Sequence, residues 1–272
     1  QNEESYWATR SKYYTMIESI YNEPDDVSIR SNMDKFWQSW QDLSLHPEEQ
    51  AARQVVVTRA ENLGDSIKAK WEGLSGIGTL LNGDVEATVM QVNDFTAQIA
   101  ALNREIVRSK ALGDSPNDLL DRRDLLVDKL SKLVNITADN RDADEFMVHL
   151  DGQVLVQGGI GRSFDLKTVV DNNGYSQLIW RDTGNDAHVS GGTLGALIEL
   201  RDVDIRSEIQ SLNTMTMNFT DLVNDVHRNA YGANHVTGLN FFNQHPFVEN
   251  VNGNFDRDGD GAFDHSYVFR FT

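Results

Sequence analysis

The sequence predicts an α+β fold in which an elongated bundle of long, coiled-coil-like helices carries a small antiparallel β subdomain. Two observations predict this class. Apolar residues recur at helical spacing, in places every seven residues, through 1–138 and again through 193–231. Between 139 and 192 the period changes to two, as in strands that bury one face. From 232 to 272, Asn, Gly and aromatic residues dominate and the last residues alternate, so we expect the start of a further β-rich domain there.

Two helices are expected before residue 46. Aromatic and aliphatic residues between Glu4 and Tyr21 share one helical stripe, which ends at a segment containing Pro24. A second helix, from about Ser28 to Leu43, has a wide apolar face. Its apolar positions are Met33, Phe36, Trp37, Trp40 and Leu43. Aromatic stripes of this kind usually belong to a core, so we expect both helices to pack inward.

One long helix is expected from Pro47 to Leu112. Proline at the first helical position with two glutamates behind it favours a helix start, because the macrodipole favours negative charge in the first turn. A seven-residue apolar repeat farther on indicates lengthwise packing against another helix. Its positions are Val85, Val92, Ile99 and Ile106. Four glycines from Gly73 to Gly83 each cost roughly 0.5 to 1 kcal/mol against alanine, so this section should be the weakest, and a break into two helices is the alternative.

Two further helices flank the expected β subdomain. The first has Ser115 as N-cap, Pro116 at the first helical position and Asp118 three residues after the cap, a variant of the capping box. The second opens at Gly192 and keeps a seven-residue apolar repeat until Gly232. The repeat positions are Ile198, Ile205, Leu212, Phe219 and Val226. We expect this stripe to pack on the seam that contains Val92, Ile99 and Ile106.

The β subdomain is predicted from alternation and turn residues. Residues 146–150 and 153–157 should form a hairpin on the turn Asp151-Gly152, because Asp-Gly adopts the positive φ angles that tight hairpins need. Two more strands, near 163–170 and 175–181, are joined by an Asp-Asn-Asn-Gly turn.

Composition excludes several classes of partner and site. The net charge is −18 and no Lys/Arg-rich run occurs, so nucleic acid and anionic membrane surfaces are poor partners. No apolar run approaches the roughly 18 residues of a membrane span, and the N-terminus lacks the layout of a signal peptide. The absence of cysteine excludes disulfides, thiolate metal sites and cysteine nucleophiles.

Sequence signs of catalysis are few, and we expect no enzyme. The seven histidines form no helical ligand pair and no HExxH motif, so each should be solvated or hydrogen-bonded. The glycine-rich runs at 158–161 and 75–78 do not continue into a phosphate loop and favour turns or local flexibility. Asp118, Asp121 and Asp124 alternate with Arg122 and Arg123, which favours a solvated charged face over paired catalytic carboxylates.

One acidic loop has the spacing of a calcium site. Carboxylates at loop positions 1, 3, 5 and 9, glycine at 6 and a backbone carbonyl at 7 supply oxygen ligands around Ca²⁺. The expected ligands are Asp256, Asp258, Asp260, Ala262 (through its carbonyl) and Asp264. Position 12 is Tyr267 rather than the bidentate Glu of an EF-hand, and no helical pattern flanks the loop. The alternative is an Asp/Gly turn between strands that holds no ion.

Five blocks of sequence resemble, in order, the FlgK family of bacterial flagellar hook-filament junction proteins. The blocks are 34–53 (DKFWQSWQDLSLHPEEQAAR), 117–136 (NDLLDRRDLLVDKLSKLVNI), 154–158 (VLVQG), 192–202 (GTLGALIELRD) and 238–242 (GLNFF). Each block alone is modestly specific, but five in order are difficult to obtain by chance. The resemblance favours one continuous helix between 47 and 112 and implies that the last residues begin an outer β-rich domain.

The resemblance also implies a function. It implies a structural subunit that joins the hook to the filament, with the hook protein, the second junction protein and further copies of itself as partners. It implies a flagellar location, outside the cell or in the periplasm where the flagellum is enclosed there. We expect the chain to be an internal fragment, and a monomer, because the family polymerises through terminal segments. Flagellin, the second junction protein and a calcium-dependent adhesin are the alternatives.

Overall fold

The computed structural model describes residues 1–21, 28–139, 146–169, 174–243, 248–249 and 255–256. The described chain divides into two compact units. The first contains Gln1–Met16 and Gly78–Asp204, and the second contains Ile17–Ile77 and the described residues from Ile205 onward. The predicted domain boundaries at 138, 192 and 231 stay a prediction. No described helix is both long and apolar enough to cross a membrane.

Helices make up most of the described chain. They are α1 (Asn2–Tyr21), α2 (Ile29–Leu45), α3 (Gln50–Ala111), α4 (Asn117–Leu133), α5 (Gly192–Glu199), a π-helical segment (Leu200–Ile205) and α6 (Arg206–Arg228). The 62 residues of α3 form one helix, which confirms the prediction of a continuous element. It begins three residues later than predicted, because the amide of Glu49 donates to the carbonyl of His46 and forms a separate turn around Pro47. A helical bundle with small antiparallel sheets is the fold class that the sequence predicts.

Two predicted helix starts have different outcomes. Ser28 caps α2, and its hydroxyl accepts a hydrogen bond from the amide of Ser31 at 3.1 Å. Ser115 was expected to cap α4, and this is wrong. The capping position is Pro116, which makes no side-chain cap hydrogen bond, and the amide of Asn117 donates to the carbonyl of Ser115 at 2.9 Å in a tight turn before the helix.

The strands lie where the period of two predicts them, with two additions. One antiparallel sheet contains β1 (Ile136–Asp139), β2 (Met147–Leu150), β3 (Gln153–Gln157) and β4 (Ile160–Gly161) in that order. A second pairs β5 (Phe164–Thr168) with β6 (Ser176–Trp180), and a third pairs β7 (Val248–Glu249) with β8 (Phe255–Asp256). Positive φ at Asp151 and Gly152 confirms the predicted hairpin turn. The strands β1 and β4 were not predicted. β4 consists of two residues inside a glycine-rich run, and β1 begins in the stretch before 138 that was assigned to the helical part.

In the first unit, the second half of α3 packs beside the β strands. Its seam residues Val92, Ile99 and Ile106 are fully buried. The side chain of Asn93 accepts from the amide of Phe164 at 2.7 Å and donates to its carbonyl at 2.9 Å, and Asn103 donates to the carbonyl of Gly158 at 2.7 Å. The strands therefore occupy the side of α3 on which the α6 stripe was expected.

The predicted partner of the α6 stripe is wrong for Leu212 and Phe219. Both side chains lie beside Leu63 and Ile67, in the first half of α3 and in the second unit. Val226, predicted on the same stripe, is 68% exposed. In a straight helix a seven-residue repeat drifts by about 20° per heptad, so three repeats after Ile205 carry Val226 off the buried face.

Aromatic residues form the core of the second unit. Its buried members are Phe36, Val56, Ala60, Val223 and Phe242, with Trp40, Leu43, Phe219 and Phe241 packed against them. The ring of Phe36 makes edge contacts with the rings of Trp40 and Phe219, at centroid distances of 6.2 and 5.6 Å. The aromatic stripe of α2 is thus a core face, as predicted, except that Trp37 lies at its edge and is 39% exposed.

Candidate functional site

The predicted calcium loop lies almost wholly outside the described residues. Asp256 ends β8, where its backbone pairs with Val248. The other predicted ligands, Asp258, Asp260, Ala262 and Asp264, are outside the part of the chain that the structure describes. Within that part, no group of three or more His, Asp or Glu side chains is placed to hold a metal ion. The calcium site therefore stays a prediction.

In the first unit, a cluster of charges and phenols joins α1 to the end of α5 and the π-helical segment. Arg10 is 9% exposed, donates to Asp204 at 2.7 Å and lies 3.1 Å from the carboxylate of Glu199. Tyr6 donates to Glu199 at 2.5 Å, and Tyr14 donates to Asp204 at 3.0 Å. Burial alone lowers the pKa of Arg10, but the hydrogen bond with Tyr14 and the charge of Asp204 outweigh it and raise that pKa. The guanidinium therefore stays charged in its buried place.

Two more phenols of α1 donate hydrogen bonds to carboxylates. Tyr13 donates to Asp84 of α3 at 2.5 Å in the first unit, and Tyr21 donates to Glu208 of α6 at 2.5 Å in the second. Burial is the larger cause that raises the pKa of both phenols, and the hydrogen-bonded carboxylate raises it further. Phenols with raised pKa values keep their protons at neutral pH. They act here as fixed donors that fasten α1, rather than as groups that transfer protons.

A second polar network centres on Arg201 of the π-helical segment. Arg201 is 3% exposed, pairs with Asp202 at 2.8 Å and donates to the side-chain carbonyl of Asn82 at 2.7 Å. Asn82 also accepts from the amide of Ser176 at 2.8 Å, and the hydroxyl of Ser176 donates to Glu86 at 2.8 Å. The network connects α3, β6 and the π-helical segment within the first unit.

The charged face predicted for α4 is wrong at one position. Arg123 is 1% exposed, and its guanidinium lies 3.9 Å from the centroid of the Phe146 ring and 3.2 Å from the carboxylate of Asp124. Arg122, its neighbour, is exposed and pairs with Asp118 at 2.9 Å, as a solvated face predicts. Arg123 faces inward because it precedes the buried Leu130 by seven residues and shares its side of the helix.

The burial of these arginines has a signal in the sequence, namely their positions within the apolar repeats. Arg123 stands at a position that the apolar repeat places on the buried face of α4. Arg201 follows Leu194 and Leu197 at helical spacing, so it shares their face. A charged residue at such a position indicates a buried charge that is paired, because burying an unpaired charge costs too much free energy. Arg10 occupies the same kind of position between Tyr6 and Tyr13.

In the second unit, a buried amide holds the block 238–242 against α6. The side chain of Asn224 is fully buried, accepts from the amides of Phe241 and Phe242 at 2.8 Å each, and donates to the carbonyl of Phe242 at 2.9 Å. Nδ1 of His227 lies 2.7 Å from the carbonyl oxygen of Leu239, so this histidine is hydrogen-bonded, as predicted. These bonds satisfy backbone groups that form no sheet ladder.

An apolar groove of about 360 Å³ lies beside this anchor. Its apolar lining is Leu63, Ile67, Trp71, Leu212, Phe219 and Phe242. Asn213, Thr216 and Thr220 of α6 add buried polar side chains to its wall. The polar networks hold helices together, and the charges in them are paired with one another.

Comparisons with known proteins agree with this architecture. The family model of the flagellar hook-associated protein FlgK helical domain matches residues 14–242. Flagellar hook-associated protein 1 of Bacillus subtilis is 29% identical, in a match covering 89% of this chain and 53% of the relative. The protein of that name from Salmonella typhimurium is 29% identical, with 94% and 48% covered. The structure of the flagellar hook junction protein FlgK from Burkholderia pseudomallei has a TM-score of 0.80 at 23% identity, covering 89% of this chain and 46% of that one.

These matches differ in what they establish. The likeness to the Burkholderia structure shows a shared fold. The chain spans about half the length of the curated relatives it matches. The family model, by contrast, covers most of this chain, from the middle of α1 to the block 238–242. The chain therefore belongs to the family of the FlgK helical domain of flagellar hook-associated proteins.

Proposed function

We propose that this chain is part of a structural subunit of the bacterial flagellum that acts as an adaptor at the hook-filament junction. The observation that carries the proposal is the match of the FlgK helical domain family to residues 14–242. The relatives bear the name hook-associated protein, and the solved neighbour bears the name hook junction protein. The subunit would work in the flagellum without turning over a substrate.

The architecture supports a mechanical role. Buried arginines paired with carboxylates tie α1, α3 and the π-helical segment together within the first unit, and an aromatic core holds α2 to α6 in the second. An assembly of such helices binds its neighbours through broad side-to-side contact rather than through a catalytic pocket. The partners in this proposal are the hook protein, the second junction protein and further copies of the chain.

A deletion strain tests the proposal. Removing the gene from the source bacterium should leave hooks without filaments in electron micrographs, and unpolymerised flagellin should accumulate in the medium because the filament has no base on which to grow. Reintroducing the whole gene should restore filaments. Normal filaments in the deletion strain would contradict the proposal and favour an adhesin. Bare hooks without flagellin in the medium would favour a flagellin instead.

A further inference from the structure

The apolar groove of the second unit contains polar side chains that the fold does not use. Its walls come from α3, α6 and Phe242, all within that unit. Asn213 and Thr220 of α6 line the groove and are 5% and 3% exposed, and neither side chain has a hydrogen-bond partner within the described part of the chain. Thr216 lies between them on the same helix, and its hydroxyl donates to the carbonyl of Leu212 at 2.6 Å. The amide of Asn213 and the hydroxyl of Thr220 are therefore left for another group.

These polar groups are reached from the groove. The fully enclosed, unpartnered side-chain atoms of the described residues do not include those of Asn213 or Thr220. The small accessible part of each side chain therefore includes its polar atoms, and it opens into the groove that both residues line. On the α3 wall, the indole nitrogen of Trp71 is enclosed and has no acceptor among the described residues. Buried polar groups without a partner are rare, because leaving one unpaired costs free energy.

The size and the polarity of the groove suit a small, uncharged molecule. Its volume of about 360 Å³ lies within the range of small-molecule sites, which combine apolar walls with a few placed polar groups. The charged side chains that line it, Asp65, Lys68 and Glu72, are exposed and form its rim, where Lys68 pairs with Glu72 at 3.8 Å. The lining residues that are buried carry no charge. A charged ligand would lose its hydration there without gaining a countercharge.

We propose that this groove binds a small, uncharged and mainly apolar molecule that carries a carboxamide. The apolar body of the ligand would cover side chains such as Leu63, Ile67 and Phe219. Its amide would exchange two hydrogen bonds with the amide of Asn213, because each amide has both donors and an acceptor. A ketone of the same shape only accepts, so it forms one of the two bonds. This binding goes beyond the proposed structural role of the chain and does not depend on it.

Two probes of the same shape test the proposal. In 3-phenylpropanamide a phenyl ring and two methylene groups carry a carboxamide, and 4-phenylbutan-2-one differs only by a methyl group in place of the NH₂ group. Trp71 supplies the readout, because the five tryptophans of the chain give five indole N–H signals in a nuclear magnetic resonance spectrum. Trp71→Phe identifies the signal that belongs to the groove. Each probe is titrated to the limit of its solubility.

We expect both probes to shift the Trp71 signal saturably, and the amide to bind about three- to tenfold more tightly, the effect of one further hydrogen bond. A groove that is merely apolar would prefer the ketone, because the ketone is the less polar compound. Equal affinities, a preference for the ketone, or no shift of the Trp71 signal with the amide would overturn the proposal.

Asn213→Leu assigns the preference to this side chain. Leucine has nearly the shape of asparagine but no amide, so the variant should bind both probes equally or prefer the ketone. Asn218→Leu, on the exposed face of the same helix, is the matched control and should keep the wild-type preference. The four other indole signals show whether each variant is folded, and Asn213→Ala, with the same expected loss, replaces a leucine variant that does not fold. A folded variant at position 213 that still prefers the amide would contradict the role of Asn213.

Discussion

At the scale of single residues, buried arginines do much to specify this fold. Arg10, Arg123 and Arg201 are at most 9% exposed, and each lies within hydrogen-bond distance of a carboxylate. Removing such a charge from water is costly unless it is paired, so each arginine accepts only a narrow set of neighbours. Arg123 has the further contact with the face of the Phe146 ring. Arg10 joins α1 to Asp204, and Arg201 joins the π-helical segment to Asn82 of α3, so these two residues help to fix which helix faces meet.

Arg123→Ala should lower the free energy of unfolding by about 1 to 3 kcal/mol, through the lost cation–π contact and the packing of the buried side-chain stem. The loss should stay below that of a broken buried ion pair, because the side chain of Asp124 is 64% exposed and regains water. Urea unfolding measures the change. Arg122→Ala, at an exposed surface pair, is the control and should change it by less than about 0.5 kcal/mol. Equal losses for the two variants would contradict the buried role.

Tyr13→Phe should cost about 0.5 to 1.5 kcal/mol at neutral pH, because it removes the hydrogen bond to Asp84. Burial first, and Asp84 second, raise the pKa of Tyr13 in the folded chain. A phenol with a raised folded pKa stabilises the fold below its unfolded pKa of about 10, and this contribution is lost as the pH rises from there towards the folded value. Thermal midpoints from pH 8 to 11 should therefore fall less steeply for Tyr13→Phe than for the wild type. Tyr231→Phe, at a phenol that is 73% exposed, is the control at neutral pH and should change the free energy of unfolding by less than about 0.5 kcal/mol.

The acidic loop makes a residue-scale prediction that rests on spacing alone. Four carboxylates brought within a few ångströms repel one another unless a cation compensates them, so the chain should bind Ca²⁺. Affinity should lie between micromolar and millimolar, since the bidentate Glu is missing. Titration calorimetry of the wild type should show heat that Asp258→Ala combined with Asp260→Ala abolishes. Asp118→Ala combined with Asp121→Ala, at exposed positions of α4 with the same charge change, should retain it. Equal heats from the first variant and the wild type would favour the alternative, an Asp/Gly turn that holds no ion.

At the scale of elements, periodicity predicted the type and extent of the structure better than its partners. The hairpin at Asp151-Gly152 followed from its turn residues. The apolar repeat indicated a helix in α3, but its continuity through the four glycines followed from the resemblance to the FlgK family. The π-helical segment did not follow from a local signal, because no local residue type marks it. Nor did the burial of Arg123, which depends on Phe146 from another part of the chain. The side of α3 that the strands occupy likewise depends on tertiary packing. Both halves of α3 carry an apolar stripe, so the sequence alone could not decide which stripe packs on the strands and which on α6.

The stripe of α6 can be tested at its two kinds of position. Leu212→Ala should lower the free energy of unfolding by about 2 to 3 kcal/mol, the lower part of the range for a buried leucine, because its side chain is 7% exposed but already lines a groove. Leu222→Ala, on the same helix and 58% exposed, is the control and should change it by less than about 0.5 kcal/mol. Thermal and urea unfolding measure both. A Leu212→Ala variant as stable as the control would show that this stripe faces something other than Leu63 and Ile67.

At the scale of the whole molecule, charge should keep the chain monomeric in dilute solution. A net charge of −18 makes copies repel one another, and this repulsion opposes contact between the exposed apolar side chains, such as Leu222 and Val226. Light scattering at micromolar concentration should give the mass of one chain at low salt.

A salt titration separates charge repulsion from the lack of a sufficient apolar surface. Raising the salt to about 1 M shortens the screening length to about 3 Å and so removes most of the repulsion. A monomer at both salt concentrations means that the apolar surface is too small to drive assembly, and reversible association at high salt alone means that repulsion was the barrier. A stable ring or filament at low salt would contradict the prediction, because contacts within this chain would then suffice to overcome its own charge.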